Sequence, residues 1–261
     1  MVIPQLSKLK PGVRFPSPAP RKTTRMLFFY FFFVYVILDL RMINENKKND
    51  IANTRDDALK IIGVITMVID HVGVILYPDV IFLRIIGRLA FPIFAYYLTQ
   101  GYIHTSNFKK YALRLFIFAA LTQAPYFIVT QLKTLNIFFT LIFGLLAIHA
   151  YEKRKYPLLG LIALLSVIVP IDYSVYGVLT ALAFYIFQKK ELVLRAQAAV
   201  NILGYFLLSP LQVFAFLGSA LVLYYPKDLP KIRINKYFFY FFYPVHLIII
   251  YGISRLPHFA K

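Results

Sequence analysis

The chain has 261 residues, 60% of them hydrophobic and 15% charged, with a net charge of +18. Soluble domains sit near about 45–50% apolar and about 25% charged, so this composition excludes a soluble globule wrapped in a polar shell. The absence of cysteine removes disulfides, thiolate nucleophiles and cysteine-held metal. The positive charge is spread over short connectors and reads as the loops of a membrane protein rather than a nucleic-acid surface.

Residues 1–57 form an extension unlike the rest. Met1 to Arg25 is basic and proline-rich, Met26 to Leu40 is a short aromatic run, and Arg41 to Asp57 is polar with mixed charge. The aromatic run is short for a membrane span, which takes about 20 apolar residues. It reads as an interfacial segment, an extra helix, or sequence ahead of a native start near Met42.

From residue 58 the apolar runs recur, and the predicted class is all-α: a polytopic bundle of about nine transmembrane helices, ten with the N-terminal segment. The spans run from Ala58 to Tyr77, Ile81 to His104, Tyr111 to Thr130, Leu135 to Tyr151, Tyr156 to Pro170, Tyr173 to Phe187, Leu192 to Leu208, Pro210 to Tyr225, and Tyr237 to Ser254. Residues 58–254 make the membrane domain, and 255–261 a short tail. Every second connector is cationic: Lys109, Lys110 and Arg114; Lys153 to Lys155; Lys189, Lys190 and Arg195; Lys227 to Lys236. The connectors between them hold Asp79, Lys133 and Asp172. Cytoplasmic loops carry the Lys/Arg excess, so the first helix begins in the cytoplasm and the tail lies outside.

Ionisable groups inside a span are costly and each needs a reason. Asp70 and His71 sit in the outer half of the first helix. Adjacent helical residues point about 100° apart, yet the two can line one cavity; the alternative is a structural pair between helices. Arg84 and Arg88 are one turn apart on one face, and Pro92 frees the carbonyl of Arg88, which predicts a kink. Arginines near a helix end can also snorkel to headgroups. Gln123 and Pro125 follow in the third helix, then Asn136 with Thr140 one turn on, then Asp172, Tyr173 and Tyr176, then Gln212, and finally Tyr243, Pro244 and His246. The charge-derived topology places Asp70, His71, Arg84, Arg88, Gln123, Asn136, Asp172, Tyr173 and Gln212 in the outer half and His246 near the midplane, which predicts one polar cavity. No H-E-x-x-H spacing and no G-x-S-x-G turn occur, so a metalloprotease or serine hydrolase is not indicated. What remains is acid–base chemistry by a histidine, with arginines to stabilise an anion.

The segments LKIIGVITMVIDHVGVILYPD, RIIGRLAFPIFAYYLTQGYIHTSNFKKYALRLFIFA, LNIFFTLIFGL, DYSVYGVL, PLQVFAFLGSA and FFYFFYPVHLIIIY resemble the TraX family. The resemblance runs from about Asp57 to Ser254. It implies a membrane acetyltransferase of the bacterial cytoplasmic membrane that uses acetyl-CoA, without a metal. The acceptor would be an amine or hydroxyl on the outer side, such as a pilin N-terminus or an envelope polymer. On that basis His71 is expected as general base or nucleophile, with Asp70 orienting it. Arg88 and Arg84 are expected at the oxyanion or an anionic substrate group. Asn136, Thr140, Asp172, Tyr173, Tyr176, Gln212, Tyr243 and His246 would position substrate, and Lys109, Lys110 and Arg114 would meet the CoA phosphates. The partners implied are the lipid bilayer, acetyl-CoA and an extracytoplasmic acceptor, with no nucleic acid. A transporter, or a pilus or envelope assembly protein without catalysis, fits the same polar residues; acetyl-CoA turnover separates them.

Overall fold

The computed structural model describes residues 57–226 and 232–256, and the N-terminal extension, with its aromatic run, lies outside them, as do 227–231 and 257–261. The described chain is helical, with a single parallel bridge between Leu135 and Ile171. Ten α-helices follow one another: α1 Ala58–Ile75, α2 Ile81–Gly87, α3 Ala90–His104, α4 Phe108–Thr130, α5 Ile137–Glu152, α6 Tyr156–Ile168, α7 Ser174–Ile186, α8 Lys190–Leu207, α9 Ala215–Tyr224 and α10 Lys236–Ser254. A 3₁₀ turn, Pro210–Phe214, leads into α9.

Among the described residues, four stretches are long and apolar enough to cross a membrane: Ala58–Ile75, Ile81–His104, Phe108–Thr130 and Tyr237–Ser254. Ile137–Glu152, Tyr156–Ile168, Ser174–Ile186 and Pro210–Tyr224 are apolar but shorter. The 13 residues of α6 or α7 reach only about 20 Å against a hydrocarbon core of about 30 Å. Helix α8 opens with Lys190, Glu191 and Arg195 and falls in neither group. Large side chains such as Phe82, Phe206, Phe241 and Ile248 are exposed over the outside of the bundle. Such a surface suits lipid rather than water.

Where a single helix was expected over Ile81 to His104, the backbone breaks at Arg88 and Leu89. Pro92 has no amide for the Arg88 carbonyl, and the Arg88 amide is shared among the carbonyls of Arg84, Ile85 and Ile86. The expected kink is thus a helix break, and it lands on a site residue.

Helix α7 is the centre, with Val175 to Phe184 buried without interruption, and α3, α5, α6 and α8 pack around it. Helices α1, α2, α4 and α10 close the other side against α3 and α5. Two ties fix the loops. The Leu135 amide donates to the Pro170 carbonyl at 2.7 Å and the Asp172 amide to the Leu135 carbonyl at 3.0 Å, joining the α4–α5 and α6–α7 connectors. At the opposite end, the Asp57 amide donates to the Ile232 carbonyl at 2.8 Å, and its carboxylate accepts from the Ile234 amide at 2.9 Å. Lys60 pairs with the same carboxylate and lies over the Tyr97 ring at 4.6 Å. This clip sets α1 and α10 side by side in the same direction, so His71 and His246 both lie about 20 Å along their helices from it.

Candidate active site

Asp70 stands where α1 meets α2, and the closeness of that crossing is a glycine's doing. A Cβ added at Gly87 would run into the Asp70 side chain itself. With hydrogen there instead, the carboxylate reaches both arginines of α2. Arg88 Nη2 donates to Asp70 Oδ1 at 2.8 Å, and Arg84 Nη1 to Oδ2 at 3.3 Å. Arg88 also points Nη1 toward Gln212 Oε1 at 3.4 Å, which links the pair to the 3₁₀ turn. Gly204 plays a second spacing role, because a Cβ there would sit 2.7 Å from the Gln212 side chain and 2.8 Å from the Tyr176 ring.

His71 does not turn to Asp70. It meets His246 of α10, with 3.0 Å between His71 Nδ1 and His246 Nε2. His246 Nδ1 lies 2.9 Å from the Phe242 carbonyl oxygen. A carbonyl only accepts, so this nitrogen carries the proton and donates. With both rings neutral, His246 Nε2 is then bare and accepts, and the proton of the shared contact belongs to His71 Nδ1. The consequence is that His71 Nε2 keeps its lone pair, and it makes no hydrogen bond among the described residues. The ring of Tyr243 stands edge-on to His71 at 6.1 Å and to His246 at 5.4 Å, and Phe242 stacks on His246 at 5.2 Å. The partner expected for His71 from adjacency was Asp70, and the partner found is 175 residues away. Asp70 acts on His71 through its charge alone.

Beside this pair lies the start of α7. Tyr173 stacks on Phe91 at 4.2 Å, nearly parallel at 8°. Its amide donates to Thr140 Oγ1 at 3.3 Å. Tyr176, fully buried, donates to Asn201 Oδ1 at 3.1 Å. Asp172, in the α6–α7 connector, accepts from the Tyr126 hydroxyl at 3.5 Å, and burial pushes its carboxyl up to about 6 despite the opposing pull of Arg88. Asp70, His71, Arg84, Asp172 and Tyr173 all retain accessible surface, while Arg88, His246 and Gln212 are 8%, 4% and 1% exposed. The cluster therefore has a half-buried side and a sealed side.

Not every residue expected in the site reaches it as a working group. Asn136 is fully buried and its hydrogen bonds are all spent on structure. Its Nδ2 donates to the Ala119 carbonyl at 2.8 Å and to Gln123 Oε1 at 2.9 Å, and its Oδ1 caps α5 by accepting from the Phe138 amide at 3.0 Å. Thr140 holds the Tyr173 backbone. Tyr176 and Gln212 support the back wall. Lys109 and Lys110 are exposed at the other end of the bundle, in the first turn of α4. Arg114 is tied up there, with Nε donating to the Tyr240 hydroxyl at 3.2 Å. Tyr126 is a neighbour that the sequence did not single out; a tyrosine three residues after Gln123 in an amphipathically weak helix carries no distinct signal. Among the described residues no group of three His, Cys, Asp or Glu gathers.

A bundle of apolar helices with a histidine pair, a doubly paired aspartate and a second buried carboxylate marks a helical membrane protein with a cluster of polar side chains inside it. The family model described as TraX protein matches residues 55–254, and the chain belongs to the TraX family. It is similar to the probable fimbrial assembly protein FimC, serogroup H1, of Dichelobacter nodosus, 29% identical over 228 residues, covering 74% of this chain and 92% of that protein. It is also similar to the uncharacterized protein RP591 of Rickettsia prowazekii, 34% identical over 113 residues, covering 43% and 42% of the two chains. No solved structure matches.

Proposed function

We propose that this chain is an acetyl-CoA-dependent acetyltransferase of the bacterial cytoplasmic membrane, with about nine spans and the start of α1 in the cytoplasm. The observation that carries the reading is the bare Nε2 of His71, fixed by His246 beside the Asp70–Arg88 pair, in a member of the TraX family. Acetyl-CoA supplies an acetyl thioester. His71 Nε2 takes the proton of the attacking acceptor, or itself attacks the carbonyl carbon and carries the acetyl for one step. As a base, His71 passes the acceptor's proton to the thiolate that departs as the C–S bond breaks and the C–N or C–O bond forms. As a nucleophile, it expels the thiolate on forming acetyl-imidazole; when the acceptor then displaces His71, the acceptor's proton is released to solvent, where it neutralises the thiolate. Arg88, kept rigid by Asp70, faces the charge that develops on the carbonyl oxygen. Lys109 and Lys110, exposed at the cationic end, suit the phosphates of CoA. The alternating charge of the connectors supports that end being cytoplasmic.

The acceptor is an amine or hydroxyl on the far side of the membrane. The relative named for fimbrial assembly favours a subunit of a surface filament. Comparative mass spectrometry of envelopes from cells with and without the protein tests the reading. One component should lose an acetyl increment when the protein is absent. Identical acetylation in both envelopes, together with no thiol release from acetyl-CoA by the purified protein with envelope extract, sinks it.

A further inference from the structure

Away from the histidine pair, the outside of the bundle carries a groove between the last two turns of α4 and those of α10. Ala124, Pro125, Ile128 and Val129 line one side and Ile248 and Tyr251 the other. Its wall is apolar throughout and its volume is about 370 Å³. The spacing of the residues explains the shape. Ala124 with Ile128, Pro125 with Val129, and Ile248 with Tyr251 are three or four residues apart, so each pair shares a helix face. Ala124 and Pro125 are short side chains, which leaves depth between two helices that otherwise pack together. An apolar recess takes up no water, and within a bilayer it gains dispersion contacts only from something apolar. One turn of a helix, about 10 Å across and about 5.4 Å tall, takes up more than the whole groove. A single hydrocarbon chain is thin enough to lie in it.

The charges at the mouth of the groove choose the head group. Most basic side chains gather at the opposite end of the bundle, at Lys109 and Lys110, Lys153 to Lys155, and Lys189 and Lys190. The bias of Lys and Arg toward one side of a membrane accounts for that end. At the groove's end, outside the site, the basic residues among the described ones are Lys133 and Arg255, and both are exposed. The same bias does not account for these two. Each follows directly on a groove helix, Lys133 just past Thr130 of α4 and Arg255 next after Ser254 of α10. Arg255 continues the face of Ile248 and Tyr251 by one turn. Its Nη2 donates to the Tyr251 hydroxyl, and its guanidinium lies 4.8 Å from the centre of that ring. Tyr251 thus lines the groove with its ring and steadies a cation at the mouth. The carboxylates at this end are Asp70, Asp79 and Asp172 among the described residues, and none forms a salt bridge with either cation.

We infer that the α4–α10 groove binds one anionic phospholipid, with an acyl chain along the groove and the phosphate between Arg255 and Lys133. The inference is independent of the acetyl-transfer reading. A guanidinium offers phosphate two parallel hydrogen bonds, and the lysine adds a point charge. A lipid held this way ties the ends of α4 and α10 together and stabilises the helix that carries His246.

The test titrates the full chain, in mild detergent, with three probes and counts bound molecules by native mass spectrometry. The probes are dioleoyl-phosphatidylglycerol, dioleoyl-phosphatidylcholine and the chainless glycerophosphoglycerol. The parent should bind one phosphatidylglycerol about tenfold more tightly than phosphatidylcholine. Arg255→Gln and Lys133→Gln should each weaken phosphatidylglycerol about fivefold and leave phosphatidylcholine unchanged. Ala124→Phe, which fills the groove from an exposed position, should weaken both lipids. Both charge variants alter exposed side chains, so folding, read by circular dichroism, should match the parent. A folded Arg255→Gln/Lys133→Gln double variant that holds phosphatidylglycerol like the parent overturns the inference. So does glycerophosphoglycerol binding as tightly as the lipid, which would mark an anion site without a groove. A change of oligomer mass in Ala124→Phe with lipid binding intact also overturns it, in favour of a second copy of the chain.

Discussion

Two polar knots sit side by side in this bundle and are built on opposite plans. In the first, Gln123, Asn136 and Thr134 satisfy one another and the Ala119 carbonyl through hydrogen bonds of 2.8–3.0 Å, with no charge and no open surface at Asn136. In the second, Asp70, Arg84, Arg88, His71, His246 and Asp172 bring charges together, leave His71 Nε2 bare and leave Asp172 without a salt-bridge partner among the described residues. The first knot closes its own books and holds α4 to α5. The second keeps unspent lone pairs on half-buried residues, which stability alone would not select. A polar residue in a span is therefore not a functional residue by virtue of its cost; what counts is whether its partners already use it up.

That contrast can be broken by substitution, and the largest effect belongs to Arg88. Arg88→Gln should cut acetyl transfer by about a thousandfold while the protein still inserts and folds, measured as turnover per folded molecule. His246→Phe should cost about a hundredfold by freeing His71 to rotate or change tautomer. His246→Gln should recover much of that loss, because an amide oxygen can accept from His71 Nδ1. Equal losses in the two variants would show that the hydrogen bond from His71 Nδ1 does not matter to turnover. Asn136→Ala should do the reverse of both. It strands buried partners and should lower stability by about 1–3 kcal/mol, leaving the turnover of the folded fraction near that of the parent.

The smallest effect is a pH signature at Asp172. Its folded carboxyl is raised to about 6 from 3.8, so the folded state holds its proton more tightly than the unfolded chain. Stability from this group is present below the unfolded value and is lost as pH rises through the folded one. Asp172→Asn should therefore melt higher than the parent at pH 7.5, and the gap should close as pH falls toward 4. A gap independent of pH would show that Asp172 does not titrate as described.

Much of this was legible in the sequence, for reasons that can be named. Apolar runs bounded by Pro, Asn and Lys gave the helices, and Arg84 with Arg88 at one-turn spacing gave a shared face. Pro92 marked the disturbed carbonyl, though not that the helix would part at Arg88 and Leu89. Three things stayed hidden because they are facts of packing. The His71–His246 bond joins residues from opposite ends of the chain, and adjacency suggested Asp70 instead. Gly87 looks like any helix glycine until α1 lies against it. Asn136 reads as a site residue until Gln123 is seen to consume it.

The account turns on one nitrogen. Supplying labelled acetyl-CoA to the protein reconstituted in vesicles with envelope extract, and comparing the parent with His71→Ala, tests it most directly. Transfer should fall to the level of vesicles without protein, with the variant still folded. A His71→Ala protein that transfers label as fast as its parent would contradict the role given to His71 and, with it, the catalytic reading of the polar cluster.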